Sequence, residues 1–385
     1  MKRTQIPFFR IYSDQDDVSS VTKVIKRRTY WATGPEIPEF EKRVGAFVRA
    51  RHAVAFNSGT SALHAILAAY KIGKGDEVIV PSFTFISTAN APLFVGAKPV
   101  FADIEEKTYG LDVEDVRSRI TKRTKAIIPV HYAGCPCRDI KALSDLAQKK
   151  NIYLIEDAAE ALGAKVGKKP VGTFGDAGMF SFCQNKIITM GEGGIITTDD
   201  TIIFNKLKLF VSHGRVESGN YFTSEDYDYV DLGYNMRMPT ILASLGLSQL
   251  KKINHVIKER QRVARRYIQN LGSLKGSLGL PLPPRNFEHI YQMFTIRVFE
   301  GRKRRDALMA YLKDRGVSNK IYFKPIHKSK YYKQIFPRIK LPITDALSDE
   351  VLSIPIFPDL KNKQIDDICD IIKEFFARCG HGRKG

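Results

Sequence analysis

Gly175-Asp176-Ala177-Gly178-Met179-Phe180-Ser181-Phe182-Cys183-Gln184-Asn185-Lys186, followed closely by Gly191-Glu192-Gly193-Gly194, is the stretch on which the reading of the fold turns. A short apolar run leads to a serine, then to a lone lysine, then to a glycine-rich turn. Such a setting suits a lysine withdrawn from water, whose amine is neutral often enough to attack a carbonyl and hold a Schiff base. Taken alone, Lys186 reads more simply as a solvated surface lysine, since Lys and Arg together number 61 in this chain. What lies on either side changes that balance.

From about residue 53 to 197, short apolar runs alternate with helical periodicity. The runs are 53–56, 77–80, 99–101, 126–130, 153–156, 179–182 and 194–197, with helices expected over 60–70 and 140–149. Strand, helix and strand in succession predict an α/β fold whose largely parallel sheet is covered on both faces. Ligands of such sheets sit beyond the carboxyl ends of the strands. After Met238-Pro239-Thr240, apolar positions Ile241, Leu245, Leu250, Ile253, Val256 and Ile257 predict a long helix to about Leu271. A loop follows at Pro281-Leu282-Pro283-Pro284. Strands near 294–299 and 317–322 and helices near 304–315 and 363–377 then predict a smaller α+β unit. The expected division is a large domain over 1–250, including the N-terminal segment, and a small domain over 251–385.

The chain has 385 residues, 43% hydrophobic and 26% charged, enough for two or three domains with a sizeable core. No apolar run is long enough to span a bilayer, and no signal-peptide core follows the basic residues of the N-terminus. Five cysteines in so long a chain do not make a disulfide framework, which points to a reducing cytoplasm. Cys135-Pro136-Cys137 lacks a second Cys or His pair at ligand spacing and reads as a loop, so no metal is expected. The net charge is +20, but it is scattered, with small clusters at Lys26-Arg27-Arg28 and Arg302-Lys303-Arg304-Arg305 and no nucleic-acid module around them. A basic surface that draws in a polyanionic small substrate is the better reading, and no nucleic-acid or membrane partner is expected.

Two further segments join Lys186. Ser58-Gly59-Thr60-Ser61 lies between a strand and a helix, where N–H groups and hydroxyls make an anion site or, more plainly, an N-cap. Ile155-Glu156-Asp157-Ala158-Ala159-Glu160 ends a strand, so Asp157 either caps the next helix or points into the ligand crevice. A phosphate cradle, an acid for a pyridinium nitrogen and an amine for an aldehyde are the set that pyridoxal 5'-phosphate requires. Phe83 and Phe85 are candidates for the ring face, against the alternative of core packing.

With these motifs the chain resembles the DegT/DnrJ/EryC1/StrS nucleotide-sugar aminotransferases, within fold type I of pyridoxal-phosphate enzymes. The resemblance also rests on Gly75-Asp76-Glu77-Val78-Ile79-Val80-Pro81-Ser82, Pro129-Val130-His131, Gly233-Tyr234-Asn235-Met236-Arg237-Met238 and Pro325-Ile326-His327. It implies that Lys186 holds the cofactor and moves the proton, and that Asp157 partners the ring nitrogen. Phe85 would stack on the ring, with Gly59, Thr60, Ser61 and Ser181 at the phosphate and Glu160 near the phenolic oxygen. Asn235 would reach the cofactor phosphate of the other subunit, which implies a homodimer with shared active sites. Arg237 and His327 would line the substrate side, His327 having a structural role as an equal alternative.

Around Asp157 and Lys186 the chain is similar to the perosamine synthase branch, which aminates carbon 4 of GDP-4-keto-6-deoxymannose with L-glutamate as donor. Glu160, where many members carry Gln, fits that branch, while the tyrosine-rich stretch 217–231 is long for it. A UDP- or dTDP-linked sugar and amination at carbon 3 therefore stay open. A sugar dehydratase on the same fold would carry His in place of Lys186. A non-catalytic binder using its charge is the third reading. The usual setting of the family is surface polysaccharide synthesis, O-antigen included.

Overall fold

The computed structural model describes residues 5–219 and 221–380; the first four residues of the basic N-terminus, Asn220 within the 217–231 stretch and residues 381–385 lie outside them. A seven-stranded sheet is built from His52–Phe56 (β1), Glu77–Pro81 (β2), Lys98–Ala102 (β3), Thr124–Ile127 (β4), Tyr153–Asp157 (β5), Ala177–Ser181 (β6) and Gly194–Thr198 (β7). Its order is β1-β7-β6-β5-β4-β2-β3. The pairs from β6 through β5, β4 and β2 to β3 are parallel, and β7 runs antiparallel to both β1 and β6. The fold is α/β with a mostly parallel central sheet, as the sequence predicts.

The exception at β7 positions the site. Parallel neighbours need a crossover, usually helical, whereas an antiparallel partner can be reached by a direct return. The chain leaves the carboxyl end of β6, turns through residues 182–193 and comes back as β7, so Lys186 stays at that end of the sheet. β5 is parallel to β6, and its last residue, Asp157, emerges at the same edge. β1 also ends there, and the helix Gly59–Ala69 (α1) begins just beyond it.

Side chains of a strand alternate between faces, and the cores follow that period of two. Val54 and Phe56 of β1 pack with Ala62, Leu63 and Ile66 of α1. Ala53 and Ala55 point the other way and pack with Phe40 and Val44 of the helix Glu36–Val48. Met179 and Phe180 of β6 divide between the same two cores.

The helix Thr240–Leu271 (α3, with α2 at Ser87–Phe94) spans ~48 Å with its 32 residues at about 1.5 Å each. Ala243, Leu250, Ile253 and Val256 join the core under the main sheet, while Val263, Ala264, Tyr267 and Leu271 belong to another. That second core lies against the antiparallel sheet of Leu278–Gly279, Phe294–Val298 and Val351–Ile354 and the helices Gly301–Asp314 and Asn362–Gly380. The strand expected at 317–322 does not form. Val317 bridges Ile6 and Lys320 bridges Ser353, and the chain then turns off to become the wall of a cavity.

Gly194 opens β7 where it passes the turn before α1. A Cβ there would lie 2.4 Å from the Ser58 carbonyl oxygen, so a side chain must push the Ser58–Gly59 turn away. Gly194→Ala is expected to destabilise the protein by about 1–3 kcal/mol, the usual range for overpacking, read as a lower urea midpoint at unchanged slope.

Candidate active site

One cavity of about 630 Å³ gathers residues from the ends of β1, β2, β5 and β6 and from the small sheet's side. Ser58, Gly59 and Thr60 come from the start of α1, and Thr84, Phe85, Ser87 and Thr88 from the turn into α2. Asp157 and Glu160 follow β5, Ser181 ends β6, and Lys186 and Glu192 belong to the β6–β7 connection. Phe9 and the run Lys320-Ile321-Tyr322-Phe323 close the far side.

Asp157 is the most constrained of them, at 5% exposure. Thr88 Oγ1 donates to Oδ2 at 2.7 Å and the Ala159 N–H donates to Oδ1 at 3.1 Å. Its own backbone is locked to the segment that follows β4, Asp157 N–H to Pro129 O and His131 N–H to Asp157 O. No Lys, Arg or His forms an ion pair with it among the described residues, and Lys186, whose charge acts on it, pairs with Glu160. Burial pushes the Asp157 carboxyl above its ordinary range, against the opposing pull of the Thr88 and Ala159 bonds and the charge of Lys186.

Glu156, next to it on the strand, faces the opposite way and is consumed by structure. It accepts from the N–H groups of Gly172, Phe174 and Gly175 and bonds His131 Nε2 at 2.9 Å, both side chains being fully buried. The Cys137 N–H donates to His131 Nδ1, so the neutral ring carries its proton on Nε2, toward Glu156.

Lys186 Nζ lies 3.4 Å from Glu160 Oε1, with the two side chains 14% and 6% exposed. The other Glu160 oxygen accepts from the Ala133 N–H at 2.9 Å. The carboxylate is thus anchored to the backbone and aims the lysine. Elsewhere the wall has neutral donors. Ser58 caps α1, accepting from the Ser61 N–H at 3.1 Å, and Thr60 Oγ1 lies 2.6 Å from Ser87 Oγ. A helix N-terminus with hydroxyls around it favours an anion without placing a full charge nearby.

Not every expected site residue meets here. Phe85 lines the cavity with 60% of its surface open, while Phe83 is fully buried in a core with Tyr132. Ser61 is turned back onto Ser58. Asn235 is exposed, and its backbone bridges Ser212 away from the cavity. Arg237 lines a second, larger cavity of about 970 Å³, where it donates to Ser212 Oγ and stacks on Tyr221. That cavity contains none of Lys186, Asp157 or Thr60, so its size does not make it the chemical centre. The 217–231 stretch contributes Tyr221 and Glu217 there and forms the hairpin Arg215–Glu217 with Tyr227–Tyr229. His327 is buried; its Nδ1 meets Ser82 Oγ at 2.7 Å and its Nε2 lies 3.1 Å from Asp345. Burial depresses its pKa despite Asp345. It braces the loop that carries Phe85 and is not a wall residue. Thr88, Ser87, Phe9 and 320–323 escaped the sequence reading, because nothing in their local pattern marks them for the cavity.

The family model described as the DegT/DnrJ/EryC1/StrS aminotransferase family matches residues 12–373. The chain belongs to this aminotransferase family. It is 35% identical to the GDP-perosamine synthase of Vibrio cholerae over 96% of this chain and 99% of that one. Its structure is similar to Helicobacter pylori PseC, an aminotransferase involved in pseudoaminic acid biosynthesis (TM-score 0.91, 27% identity, 97% and 100% of the two chains covered). It is also similar to Spr1654 of Streptococcus pneumoniae in its PLP form (TM-score 0.90, 26% identity, 97% and 99% covered). As a sugar aminotransferase of this family, the enzyme uses pyridoxal phosphate. The cavity fits that cofactor on its own chemistry: a buried carboxylate with no cation paired to it among the described residues, a lysine amine at the same sheet edge, neutral donors suited to a phosphate and an open phenyl face. The described residues contain no cluster of His, Cys, Asp and Glu able to hold a metal and no helix long and apolar enough to cross a membrane.

Because the Asp157 carboxyl is raised, the folded aminotransferase keeps a proton that the unfolded chain releases. Its contribution to stability therefore falls as pH climbs from the ordinary value of 3.8 to the raised one, by about 1.4 kcal/mol for each pH unit crossed. Asp157→Asn is expected to remove that slope in the cofactor-free protein, measured as urea midpoints across the window. An unchanged slope would assign the pH dependence to other groups.

Proposed function

We propose that this aminotransferase moves the amino group of L-glutamate to carbon 4 of a 4-keto-6-deoxy nucleotide sugar. The products are 2-oxoglutarate and a 4-amino-4,6-dideoxy sugar nucleotide of the GDP-perosamine type. The observation that carries this reading is the full-length likeness to the GDP-perosamine synthase, together with a lysine at 186 set against Glu160. A UDP- or dTDP-linked acceptor is the alternative. The work would be done in the cytoplasm, in the making of surface polysaccharide.

Bound pyridoxal phosphate supplies the electrophilic carbonyl and the electron sink of the reaction. The Asp157 carboxylate holds the proton at the ring nitrogen, and Thr88 and Ala159 keep that carboxylate in place. Gly59, Thr60 and Ser181 offer the phosphate uncharged donors. Phe85 covers one ring face and excludes water from it. The Lys186 amine, aimed by Glu160, takes the proton from the donor's α-carbon and later gives one to carbon 4 of the sugar, acting as base and then as acid.

Ser61, Arg237, Asn235 and His327 enter this reading differently. Ser61 orients the cap of α1, and His327 braces the Phe85 loop against Asp345. Asn235 and Arg237 are taken to serve the cavity of a second copy, a reading supported by their position outside their own. The working unit would then be a homodimer with shared sites.

Lys186→Ala is expected to abolish turnover and the visible absorption of the lysine-bound cofactor, with folding intact by circular dichroism. Incubation with L-glutamate and GDP-, UDP- or dTDP-4-keto-6-deoxy sugars is expected to give an amino sugar from the GDP substrate. A deoxy ketosugar product would mean a dehydratase. Mixing inactive Lys186→Ala with an inactive Asn235→Ala variant, after unfolding and joint refolding, is expected to recover activity; no recovery would place each site within one chain.

A further inference from the structure

The cofactor cavity has an unbalanced set of charges. Three carboxylates line it, Asp157, Glu160 and Glu192, against two lysines, Lys186 and Lys320. An amino donor such as L-glutamate brings two more carboxylates into this space. Lys186 cannot be their anchor, because its amine is held by Glu160 and must stay free to carry protons. The hydroxyls and helix N-terminus elsewhere on the wall suit a phosphate and belong to the cofactor's side. Lys320 is then the remaining cation that this chain itself brings to the cavity, beside the Arg237 that the homodimer reading draws from a second copy.

Lys320, exposed like many lysines of the chain, differs from them in how it is held. Its backbone is pinned from both sides by Ser353, Lys320 N–H to Ser353 O at 3.1 Å and Ser353 N–H to Lys320 O at 2.8 Å. Its ammonium lies 4.5 Å from the centre of the Tyr322 ring and 3.4 Å from the Tyr322 hydroxyl. Tyr322 is itself fixed, since its carbonyl accepts from the buried Tyr132 hydroxyl and its ring stacks with Phe8. No carboxylate pairs with Lys320 among the described residues, although the chain offers ion pairs to many of its other cations. A cation steadied over an aromatic face, without a counter-ion and at a cavity wall, is prepared for an anion that arrives and leaves.

We infer that Lys320 binds a carboxylate of the amino donor and so sets the preference for a dicarboxylic amino acid. The inference rests on L-glutamate being the donor. Tyr322 keeps the ammonium at the cavity wall, and the Lys320–Ser353 bridge ties that wall to the small sheet. The contact discriminates between donors while leaving the proton transfers to Lys186.

The test uses Lys320→Met and Lys320→Arg in the cofactor-loaded enzyme. Calorimetric titration with glutarate, a dicarboxylate without an amine, is expected to show binding weakened about tenfold or more in Lys320→Met and largely restored in Lys320→Arg. KM for L-glutamate should rise in parallel, with kcat and KM for the sugar nucleotide little changed. Wild-type glutarate affinity in Lys320→Met overturns the inference. A rise confined to the sugar nucleotide's KM also overturns it, and assigns Lys320 to the diphosphate instead. If the wild type takes no amino group from L-glutamate, the donor reading fails; if it does so and Lys320→Met matches it, only this inference fails.

Discussion

A carboxylate denied water needs a cation or enough hydrogen-bond donors, and Asp157 has two donors and no paired cation among the described residues. The rest of the site is arranged around that deficit. β5 delivers the residue to the sheet edge, its backbone is tied to the adjoining segment on both sides, and α2 brings Thr88 to its outer oxygen. A group with a positively charged ring nitrogen relieves the cost that burial imposes on the ionised carboxyl. Burial holds the acid in a state that costs it its charge, and in the function proposed the cofactor's ring nitrogen makes that charge favourable.

The neighbouring residue shows what the sheet does with an acid it does not expose. Glu156 sits one step along the strand, so it faces the opposite side. There three backbone N–H groups and His131 consume its charge. Two adjacent carboxylates thus have opposite roles because strand side chains alternate. The same geometry explains Lys186: β7 returns antiparallel, so the connection stays at the strand ends.

Much of this was legible in the sequence. The apolar runs and glycine turns marked the seven strands to within a few residues, and the order of cradle, acid and lysine followed the order of the strand ends. The long helix after Pro239 was visible from its apolar spacing. Less legible was anything set by packing between distant segments. Residues 317–322 have a strand's composition, yet the chain pairs at two isolated points and departs, and Lys320 to Phe323 line the cavity. Thr88 carries no signal that separates it from any helical threonine. His327, in a recognisable motif, is held by Ser82 from another part of the chain. Asn235 and Arg237 lie outside the cofactor cavity of their own chain.

The helix α3 has a further effect on the molecule as a mechanical object. It enters the core beneath the main sheet with its first half and the core of the small sheet with its second. Between them Arg260, buried and pushed down to about 10 by that burial, donates to the carbonyls of Tyr291, Gln292 and Ile356. The helix is a strut common to two bodies, with a rivet near its middle. Heat that loosens one core also removes the support of the other, so melting should travel through both as a single event. Small rotations of the outer body about this strut would be felt at Lys320 and Tyr322, which hang from its sheet over the mouth of the cavity.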